Sequence, residues 1–258
     1  MKVVILCGGL GTRLREETEF RPKPLVEIGG RPVLWHIMKI FGHHGLREFA
    51  LCLGYKGNLI KEYFLNYEAM NNDVEIQLGS RSAVKYLGEH AEQDYTVTLV
   101  DTGAQAQTGA RVKRIQRFID GPRCIVTYGD GLADIDIGKL LAYHESHRKL
   151  ATVSITRVPG RFGVVDVADD GRVNAFREKP TQDAWVSAGF FVFERGFFDY
   201  LSDADSCILE REPLERAARD GQLMSYRHMG EFYPMDTYRD HLALNELWSS
   251  GKASWKVW

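Results

Sequence analysis

Apolar residues along the chain follow two alternating patterns, which predict alternating strands and helices. Residues 3–7 are a short, continuous apolar run, and residues 48–54 contain another, of the kind that form strands buried on both faces of a sheet. After Pro32, apolar residues recur at intervals of three and four as far as Phe41, which predicts an amphipathic helix, and residues 59–67 predict a second one. The order strand, helix, strand, helix predicts a parallel sheet whose strands are joined by helical crossovers.

From residue 151 onward, short predicted strands follow one another closely, with an Asp-Asp-Gly turn signal at 169–171. We therefore expect a single domain of the α/β class. Residues 1–150 would form a doubly wound, mainly parallel, Rossmann-like sheet, residues 151–235 an antiparallel lobe, and residues 236–258 a C-terminal helix and tail. The further predicted strands are 74–78, 95–100, 124–128, 151–157, 163–167, 173–177, 188–193, 224–228 and 231–235, and the further predicted helices are 108–118, 210–220 and 236–249.

A glycine-rich loop follows the first predicted strand directly. Gly8, Gly9 and Gly11 allow the backbone to approach a ligand closely, so that successive N–H groups can point at one polyphosphate. Arg13 and Lys23 add two cations that can bind phosphate oxygens. The loop has neither the Gly-Lys-Ser/Thr of a Walker loop nor the third glycine of a dinucleotide fingerprint. The pattern favours phosphate binding by another motif, and the alternative is a tight turn of an ordinary α/β protein.

Two aspartates are expected where predicted strands end. Asp130 stands between two glycines after the apolar residues 124–128, and Asp236 lies between a short predicted strand and a predicted helix. Carboxylates at such positions suit Mg²⁺, which binds one or two of them together with phosphate oxygens and water. We therefore predict a Mg²⁺ site formed by Asp130 and Asp236. The alternative for Asp130 is a tight Gly-Asp-Gly turn.

Composition narrows the function classes. The 258 residues are 44% hydrophobic, enough for one large core, and the net charge of −2 provides no basic field for nucleic acid. No apolar run reaches the roughly 18 residues of a membrane span, so we expect a cytoplasmic protein without a membrane partner. The cysteines lack the paired spacing of zinc or redox sites and are expected to be buried, reduced thiols; they are Cys7, Cys52, Cys124 and Cys207.

The C-terminal segment carries three tryptophans, Trp248, Trp255 and Trp258. They either pack on their own chain or cover a neighbouring copy. Aromatic residues are enriched at protein interfaces. We therefore expect the second arrangement, in a homo-oligomer.

The glycine loop and its surroundings resemble a known family signature. The signature of the sugar-1-phosphate nucleotidylyltransferases, which make NDP-sugars from an NTP, is similar to Gly-Gly-Leu-Gly-Thr-Arg-Leu at 8–14 and Arg-Pro-Lys-Pro-Leu-Val at 21–26. The resemblance extends along the chain and is greatest to the glucose-1-phosphate cytidylyltransferase branch of that family. The other segments that carry it are 27–38, 54–57, 97–103, 128–131, 178–180 and 234–237.

The resemblance implies a reaction and a set of site residues. A sugar-phosphate oxygen of α-D-glucose 1-phosphate would attack the α-phosphorus of CTP in line, giving CDP-glucose and pyrophosphate, with Mg²⁺ as cofactor. Arg13 would stabilise the leaving group, Lys23 would bind the α-phosphate, and Asp130 would complete the catalytic set. The implied nucleotide-binding residues are Leu6, Gly8, Gly9, Gly11, Thr12, Arg13, Lys23, Thr108, Gly109, Arg111 and Asp130; the implied sugar-binding residues are Tyr128, Gly163, Glu178, Lys179, Ser187 and Gly189; and the implied metal ligands are Asp130 and Asp236.

Arg111 is the residue expected to read the base, together with Gly109. An arginine offers only hydrogen-bond donors, which suit the O2 and N3 acceptors of cytosine and oppose the N3–H of uracil. Two alternatives stay open. Gln107 could contact the base and admit uracil, and Arg111 could be a solvated residue in the first turn of its helix.

One segment departs from the family pattern. The cytidylyltransferase branch has Asn-Gly-Gly before Phe-Phe-Val, whereas this chain has Ser187, Ala188 and Gly189 there. Another phosphorylated acceptor, or another NTP such as UTP or dTTP, is therefore an alternative within the same chemistry. A non-catalytic, nucleotide-sensing module is an alternative of another class, although a sensor would not need both aspartates and Lys179.

Overall fold

The computed structural model describes residues 1–12, 14–79, 83–157, 164–167, 173–177 and 184–258. Its strands are short, and most of them lie close to the predicted positions. In chain order they are β1 (Val3–Cys7), β2 (Glu27–Ile28), β3 (Arg31–Pro32), β4 (Glu48–Leu53), β5 (Val74–Ile76), β6 (Val84–Tyr86), β7 (Thr96–Asp101), β8 (Arg123–Tyr128), β9 (Gly131–Ala133), β10 (Ala151–Thr156), β11 (Val164–Val167), β12 (Val173–Arg177), β13 (Val186–Glu194), β14 (Leu223–Arg227) and β15 (Phe232–Pro234).

Helices connect many of these strands. The α-helices are α1 (Arg15–Thr18), α2 (Val33–His43), α3 (Gly57–Leu65), α4 (Tyr67–Asn71), α5 (Thr108–Ile115), α6 (Ile137–His147), α7 (Glu212–Arg219) and α8 (Tyr238–Ser249). Single 3₁₀ segments cover Lys23–Leu25, Gln116–Phe118 and Arg195–Tyr200. None of the helices in the described parts of the chain combines the length and the apolar character that crossing a bilayer needs.

The central sheet joins strands in the order β14-β10-β13-β8-β1-β4-β7. β1 is parallel to both β4 and β8, and β4 is parallel to β7. The predicted doubly wound, mainly parallel sheet is therefore confirmed. The carboxyl ends of these parallel strands lie at one edge of the sheet, and at that edge the glycine loop follows β1 and Asp130 follows β8.

The strands after residue 150 supply the antiparallel part of the fold that the sequence predicts, and several of them extend the central sheet. β13 is antiparallel to both β8 and β10, and β14 continues the sheet beside β10. β13 is buried without interruption from Ala188 to Phe193, so both of its faces need cover and it lies inside the sheet. β11 and β12 form an antiparallel pair apart from the central sheet.

Side chains of β1 explain its unbroken apolar sequence. Val3, Ile5 and Cys7 pack in a core layer on one face of the sheet, which also contains side chains of α2. Val4 and Leu6 pack in the layer on the other face, with side chains of α5. Because helices cover both faces, every position of this strand needs an apolar residue.

The C-terminal tryptophans belong to the core of their own chain. Trp255 is fully buried, and its Nε1–H donates to Nδ1 of His36 at 3.4 Å. The rings of Trp248 and Trp258 also pack against the His36 ring. Burial lowers the pKa of His36 to about 4. The expectation that these residues cover a neighbouring copy is wrong for Trp255, because its indole has no exposed surface left to offer.

The cysteines are free thiols, as predicted. Cys7, Cys52 and Cys124 are buried, and Cys207 is partly exposed. Burial raises the pKa of both Cys52 and Cys124 to about 12. These thiols are therefore protonated core residues at neutral pH.

Candidate active site

The glycine loop after β1 has a conformation that requires particular glycines. A Cβ atom on Gly8 would lie 2.2 Å from Cζ of Arg111, so no side chain fits there. Gly11 has a φ of +64°, in the left-handed region, and a Cβ on it would lie 2.7 Å from Cγ2 of Thr18. Gly9 has no neighbouring atom within 4 Å of such a Cβ. The loop is thus anchored at Gly8 and Gly11 and open at Gly9.

Arg111 anchors this loop from behind. Its side chain is only 4% exposed, and Nη2 donates to the carbonyl oxygen of Gly8 at 3.0 Å. Nη1 donates to the Leu53 carbonyl, the Thr102 hydroxyl and the Gly103 carbonyl, each at 2.9 Å. Burial lowers the pKa of Arg111 from its ordinary value. The structure therefore differs from the expectation of an open guanidinium fork aimed at a base, because these donors already serve the protein's own acceptors.

Lys23, Asp130 and Asp236 form a charge cluster. Nζ of Lys23 lies 2.6 Å from Oδ2 of Asp130 and 2.9 Å from Oδ1 of Asp236. Lys23 begins a 3₁₀ turn, Asp130 follows β8, and Asp236 follows β15. Burial alone would lower the pKa of Lys23, but the two carboxylates outweigh burial and raise that pKa. The lysine is therefore fully charged, and both carboxylates face one point.

Two cavities meet at this cluster. The first, here called the loop cavity, has a volume of about 440 Å³, and the second, the sheet cavity, about 550 Å³. Both are lined by Tyr128, Asp130 and Asp236. The loop cavity is further lined by Leu6, Cys7, Gly8, Gly9, Leu10, Gly11, Thr12, Lys23, Pro24, Ala104, Gln105, Ala106, Gln107, Thr108, Arg111 and Gly129, and the sheet cavity by Val153, Ile155, Val186, Ser187, Gly189, Phe191, Glu210, Leu214, Phe232 and Pro234.

Tyr128 lines both cavities and is held in place by its neighbours. Gly189 has a φ of +75°, and a Cβ on it would lie 2.6 Å from Cδ2 of the Tyr128 ring. The Tyr128 hydroxyl donates to Oε1 of Glu210. Burial and the adjacent Glu210 carboxylate raise the pKa of Tyr128 well above its ordinary value. The phenol is therefore neutral and acts as a donor.

Ser187 and Ala188, which depart from the family pattern, have different surroundings. Ser187 lines the sheet cavity, and its hydroxyl oxygen accepts a hydrogen bond from the backbone N–H of Gly189 at 3.2 Å. Ala188 is 1% exposed and packs in the core layer that contains α2. The extra methyl group of Ala188 therefore lies in the core, and Ser187 is the part of the departure that borders the cavity.

The predicted site residues are distributed unequally between described and undescribed parts of the chain. Arg13, Gly163, Glu178 and Lys179 lie outside the described residues. Gly109 is described but lines neither of the two cavities: a Cβ on it would lie 2.7 Å from Sγ of Cys207, so it allows close packing. The other predicted residues all border at least one of the two cavities; they are Leu6, Gly8, Gly9, Gly11, Thr12, Lys23, Thr108, Arg111, Tyr128, Asp130, Ser187, Gly189 and Asp236.

Sequence reasoning missed Glu210. This residue lies in Leu-Glu-Arg-Glu-Pro, just before α7, where acidic residues are typical of a helix start. That ordinary explanation hides it. Only the folded chain shows that its carboxylate reaches Tyr128 and Thr108 at the sheet cavity.

Comparisons with known proteins agree with this geometry. The family model described as nucleotidyl transferase matches residues 2–237. The chain is 48% identical to the glucose-1-phosphate cytidylyltransferase of Salmonella typhi and 43% identical to a probable glucose-1-phosphate cytidylyltransferase of Bacillus subtilis, with 100% of each chain covered in both cases. A crystal structure of HddC from Yersinia pseudotuberculosis has a similar fold, with a TM-score of 0.69 at 23% identity, covering 96% of this chain and 99% of that one.

Proposed function

The chain belongs to the nucleotidyl transferase family, and we propose that it transfers a cytidylyl group from CTP to α-D-glucose 1-phosphate, giving CDP-glucose and pyrophosphate. The relatives from Salmonella typhi and Bacillus subtilis support this choice of substrates, since they are similar over the full chain and carry that activity in their names.

The observation that carries the proposal is the meeting of two cavities at one charge cluster. A glycine loop lines the loop cavity, which suits a nucleoside triphosphate, and the adjoining sheet cavity has room for a phosphorylated sugar. Asp130 and Asp236 border both. A group transferred from one substrate to the other must pass such a junction.

In the proposed reaction, an oxygen of the sugar phosphate attacks the α-phosphorus of CTP in line. A new phosphorus–oxygen bond forms on one side while the bond to the β-phosphate oxygen breaks on the other, and pyrophosphate leaves with the electron pair of that bond. The protein has to align two anions and neutralise charge, and no protein nucleophile is needed. The backbone N–H groups of residues 8–12 would hold the polyphosphate, and the ammonium of Lys23 would turn to the α-phosphate.

A divalent metal fits the two aspartates. Nucleotidyl transferases generally use such an ion, and we propose Mg²⁺ held by Asp130 and Asp236. Their carboxylates already converge, since each lies within 2.9 Å of the same lysine nitrogen. Among the described residues, no third histidine, cysteine, aspartate or glutamate joins them, so phosphate oxygens and water would complete the ligands. The ion would reduce the repulsion between carboxylates and phosphates.

Four roles rest on the sequence alone. We propose that Arg13 stabilises the departing pyrophosphate, that Lys179 binds the sugar phosphate, and that Glu178 and Gly163 line the sugar pocket. These residues lie outside the described part of the chain, and their roles stay predictions. The homo-oligomeric state and the cytoplasmic location stay predictions too.

For the base we propose an indirect role of Arg111. Its guanidinium fixes Gly8 and the ends of β4 and β7, and so keeps the loop cavity in shape. Gln107, which also lines this cavity, is a candidate for direct contact with the base. That Arg111 itself reads cytosine stays a prediction, which the preference for CTP over UTP in Arg111→Ala tests.

Pyrophosphate release with each NTP against a panel of sugar 1-phosphates tests the proposed function. We expect CTP with glucose 1-phosphate to give the highest kcat/KM, with CDP-glucose as the product identified by mass. A higher value with UTP or dTTP, or with another sugar 1-phosphate, would replace the proposed substrates within the same reaction. Nucleotide binding without turnover for any pair would instead favour a sensing module.

A further inference from the structure

Glu210 lies where the two cavities meet, and the proposed reaction leaves it without a role. Its Oε2 accepts a hydrogen bond from the Thr108 hydroxyl at 2.6 Å, and its Oε1 accepts one from the Tyr128 hydroxyl. Thr108 lines the loop cavity, Tyr128 lines both cavities, and Glu210 lines the sheet cavity. The carboxylate therefore connects the walls of the two proposed substrate sites.

The two hydroxyl groups hold this carboxylate in one orientation. Thr108 is itself fixed, because its hydroxyl oxygen accepts the backbone N–H of Leu209 at 2.9 Å. Tyr128 is fixed by the ring contact with Gly189. A carboxylate has about four lone-pair positions, and the two hydroxyl groups use one on each oxygen. The remaining positions on this exposed residue are available to donors in the cavity.

The charge of Glu210 selects the part of a substrate that it can meet. A carboxylate only accepts hydrogen bonds and repels phosphate oxygens, whereas sugar hydroxyl groups donate. The phosphates of the nucleotide belong at Lys23 and the glycine loop, which line the loop cavity and not the sheet cavity. Glu210 consequently faces the hydroxyl-bearing end of an acceptor.

We propose that Glu210 determines acceptor specificity: its carboxylate accepts a hydrogen bond from a hydroxyl group of the sugar 1-phosphate, and Thr108 and Tyr128 position the carboxylate. This inference rests on the proposed function and names the residue that reads the sugar. It also makes a nucleotide-side residue, Thr108, matter for the choice of sugar. If Glu210 only held α5 against residues 205–210, its replacement would not change the selectivity for the sugar, and that selectivity would not depend on Thr108.

The test compares glucose 1-phosphate with its 2-, 3-, 4- and 6-deoxy analogues in wild-type protein, Glu210→Ala and Glu210→Gln. A hydrogen bond to a charged group corresponds to roughly ten- to a hundredfold. We expect Glu210→Ala to lose about that much in kcat/KM for glucose 1-phosphate, mainly through KM, while KM for CTP stays nearly constant. Discrimination against one deoxy analogue should disappear and discrimination against the others should remain. Glu210→Gln keeps the shape of the side chain and should retain part of this discrimination.

Glu212→Gln is the matched control. Glu212 is two residues away on the exposed start of α7, where it pairs with Arg216 at 3.2 Å, and it lines neither cavity. This variant should show wild-type selectivity. Thermal unfolding of every variant identifies those that fail to fold. If Glu210→Ala fails to fold, the selectivity is measured in Glu210→Gln instead.

Thr108→Val and Thr108→Ser test the positioning. The valine variant lacks the donor and should lose selectivity among the deoxy analogues, and the serine variant should restore it. If wild-type protein makes CDP-glucose but the Glu210 variants select analogues as wild type does, Glu210 is not the specificity residue. If wild-type protein makes no CDP-glucose from the natural pair, the proposed function itself is wrong, so the two failures are distinguishable.

Discussion

The loop cavity is bounded largely by backbone, whereas the sheet cavity is bounded by side chains. The loop cavity is bounded by backbone at the carboxyl ends of β1 and β8, by a glycine loop, and by a buried arginine that holds carbonyl groups in place. The sheet cavity is bounded by side chains of β10 and β13 and of residues 210–236, which the fold brings together from distant positions.

This difference separates two kinds of recognition. Backbone N–H groups suit phosphates, which all nucleoside triphosphates share, and their positions follow from the fold itself. Side chains around a sugar can be replaced singly without changing the strands that carry them. In the proposed function, the type of reaction would therefore depend on the loop cavity and the charge cluster, whereas the acceptor would depend on residues such as Ser187 and Glu210.

The largest effect is expected where the cavities share residues. Asp130→Ala or Asp236→Ala should reduce kcat by about a hundredfold or more, the scale of losing one preorganised charge stabiliser, with every acceptor and every NTP alike. Activity should require a divalent cation, and binding of Mn²⁺ to the protein with CTP should weaken in both variants. Asp94→Ala, which removes an exposed ion pair with Arg47 at 2.9 Å, is the control. Full activity in excess chelator would contradict the metal assignment.

Two glycine substitutions should affect the two cavities separately. Gly8→Ala would drive a methyl group into the Arg111 guanidinium and should raise KM for CTP, whereas Gly189→Ala would press on Tyr128 and should raise KM for the sugar phosphate. Overpacking of this kind costs about 1–3 kcal/mol, or roughly ten- to a hundredfold. Kinetics with each substrate varied in turn give the two values.

Gly251→Ala controls for backbone strain in that comparison. Gly251 has a φ of +70°, but a methyl group at this position would have no atoms within 4 Å, so the substitution should lower stability slightly and leave both KM values unchanged. If Gly8→Ala and Gly189→Ala raise both KM values equally, the two cavities are not separate substrate sites.

Substitution of Arg111 tests whether this side chain affects base binding only indirectly, by holding the loop cavity in shape. Removing this guanidinium takes away four hydrogen bonds from a charged donor, each at about 1.5–3 kcal/mol. Arg111→Ala should lower thermal stability and reduce kcat/KM for CTP and UTP together by roughly tenfold. Arg111→Lys keeps the charge but not the fork and should restore little. A CTP over UTP ratio that falls selectively would show that Arg111 reads cytosine directly.

The sequence was informative wherever function is local. The strand and glycine loop at residues 3–11 and the Gly-Asp-Gly turn at Asp130 are short motifs whose geometry follows from neighbouring residues. The buried fork of Arg111 was not predictable, because its acceptors come from three separate segments, at or after the ends of β1, β4 and β7. Glu210 was not predictable either, since its partners Thr108 and Tyr128 are 102 and 82 residues away.

β13 shows the same limit for the fold. Its strand character was predicted from apolar residues 188–193, but nothing in those residues shows which strands lie beside it. The pairing of β13 between β8 and β10 depends on the complete sheet.

The smallest effect on activity at neutral pH is expected from substitution of His36, which lines neither cavity. His36 is neutral in the fold, with a pKa near 4 against about 6.5 when unfolded, so unfolding takes up a proton between these values. This contribution to stability is complete above about pH 6.5 and is lost as pH falls towards 4. At about 1.4 kcal/mol per pKa unit, its limit is roughly 3 kcal/mol.

Urea unfolding at pH 7.5, 6 and 5 measures this dependence, and His36→Gln should show a shallower decline. Because His36 belongs to the core that supports both cavities, acid should affect the two cavities together. The ratio of KM for CTP to KM for the sugar phosphate should stay constant until the protein unfolds. An unchanged pH dependence in His36→Gln would show that another group causes the decline.

The charge cluster also has a consequence for how the chain folds. Lys23 contacts Asp130 across 107 residues and Asp236 across 213. Closing loops of this length costs conformational entropy before any contact forms, and contacts so distant in sequence form slowly. β1, β4 and α2 can assemble from the first 53 residues, long before these three charges meet. During refolding, catalytic activity should consequently return later than the pairing of β1 with β4, and the interval between the two events measures the time that the chain needs to bring its distant segments together.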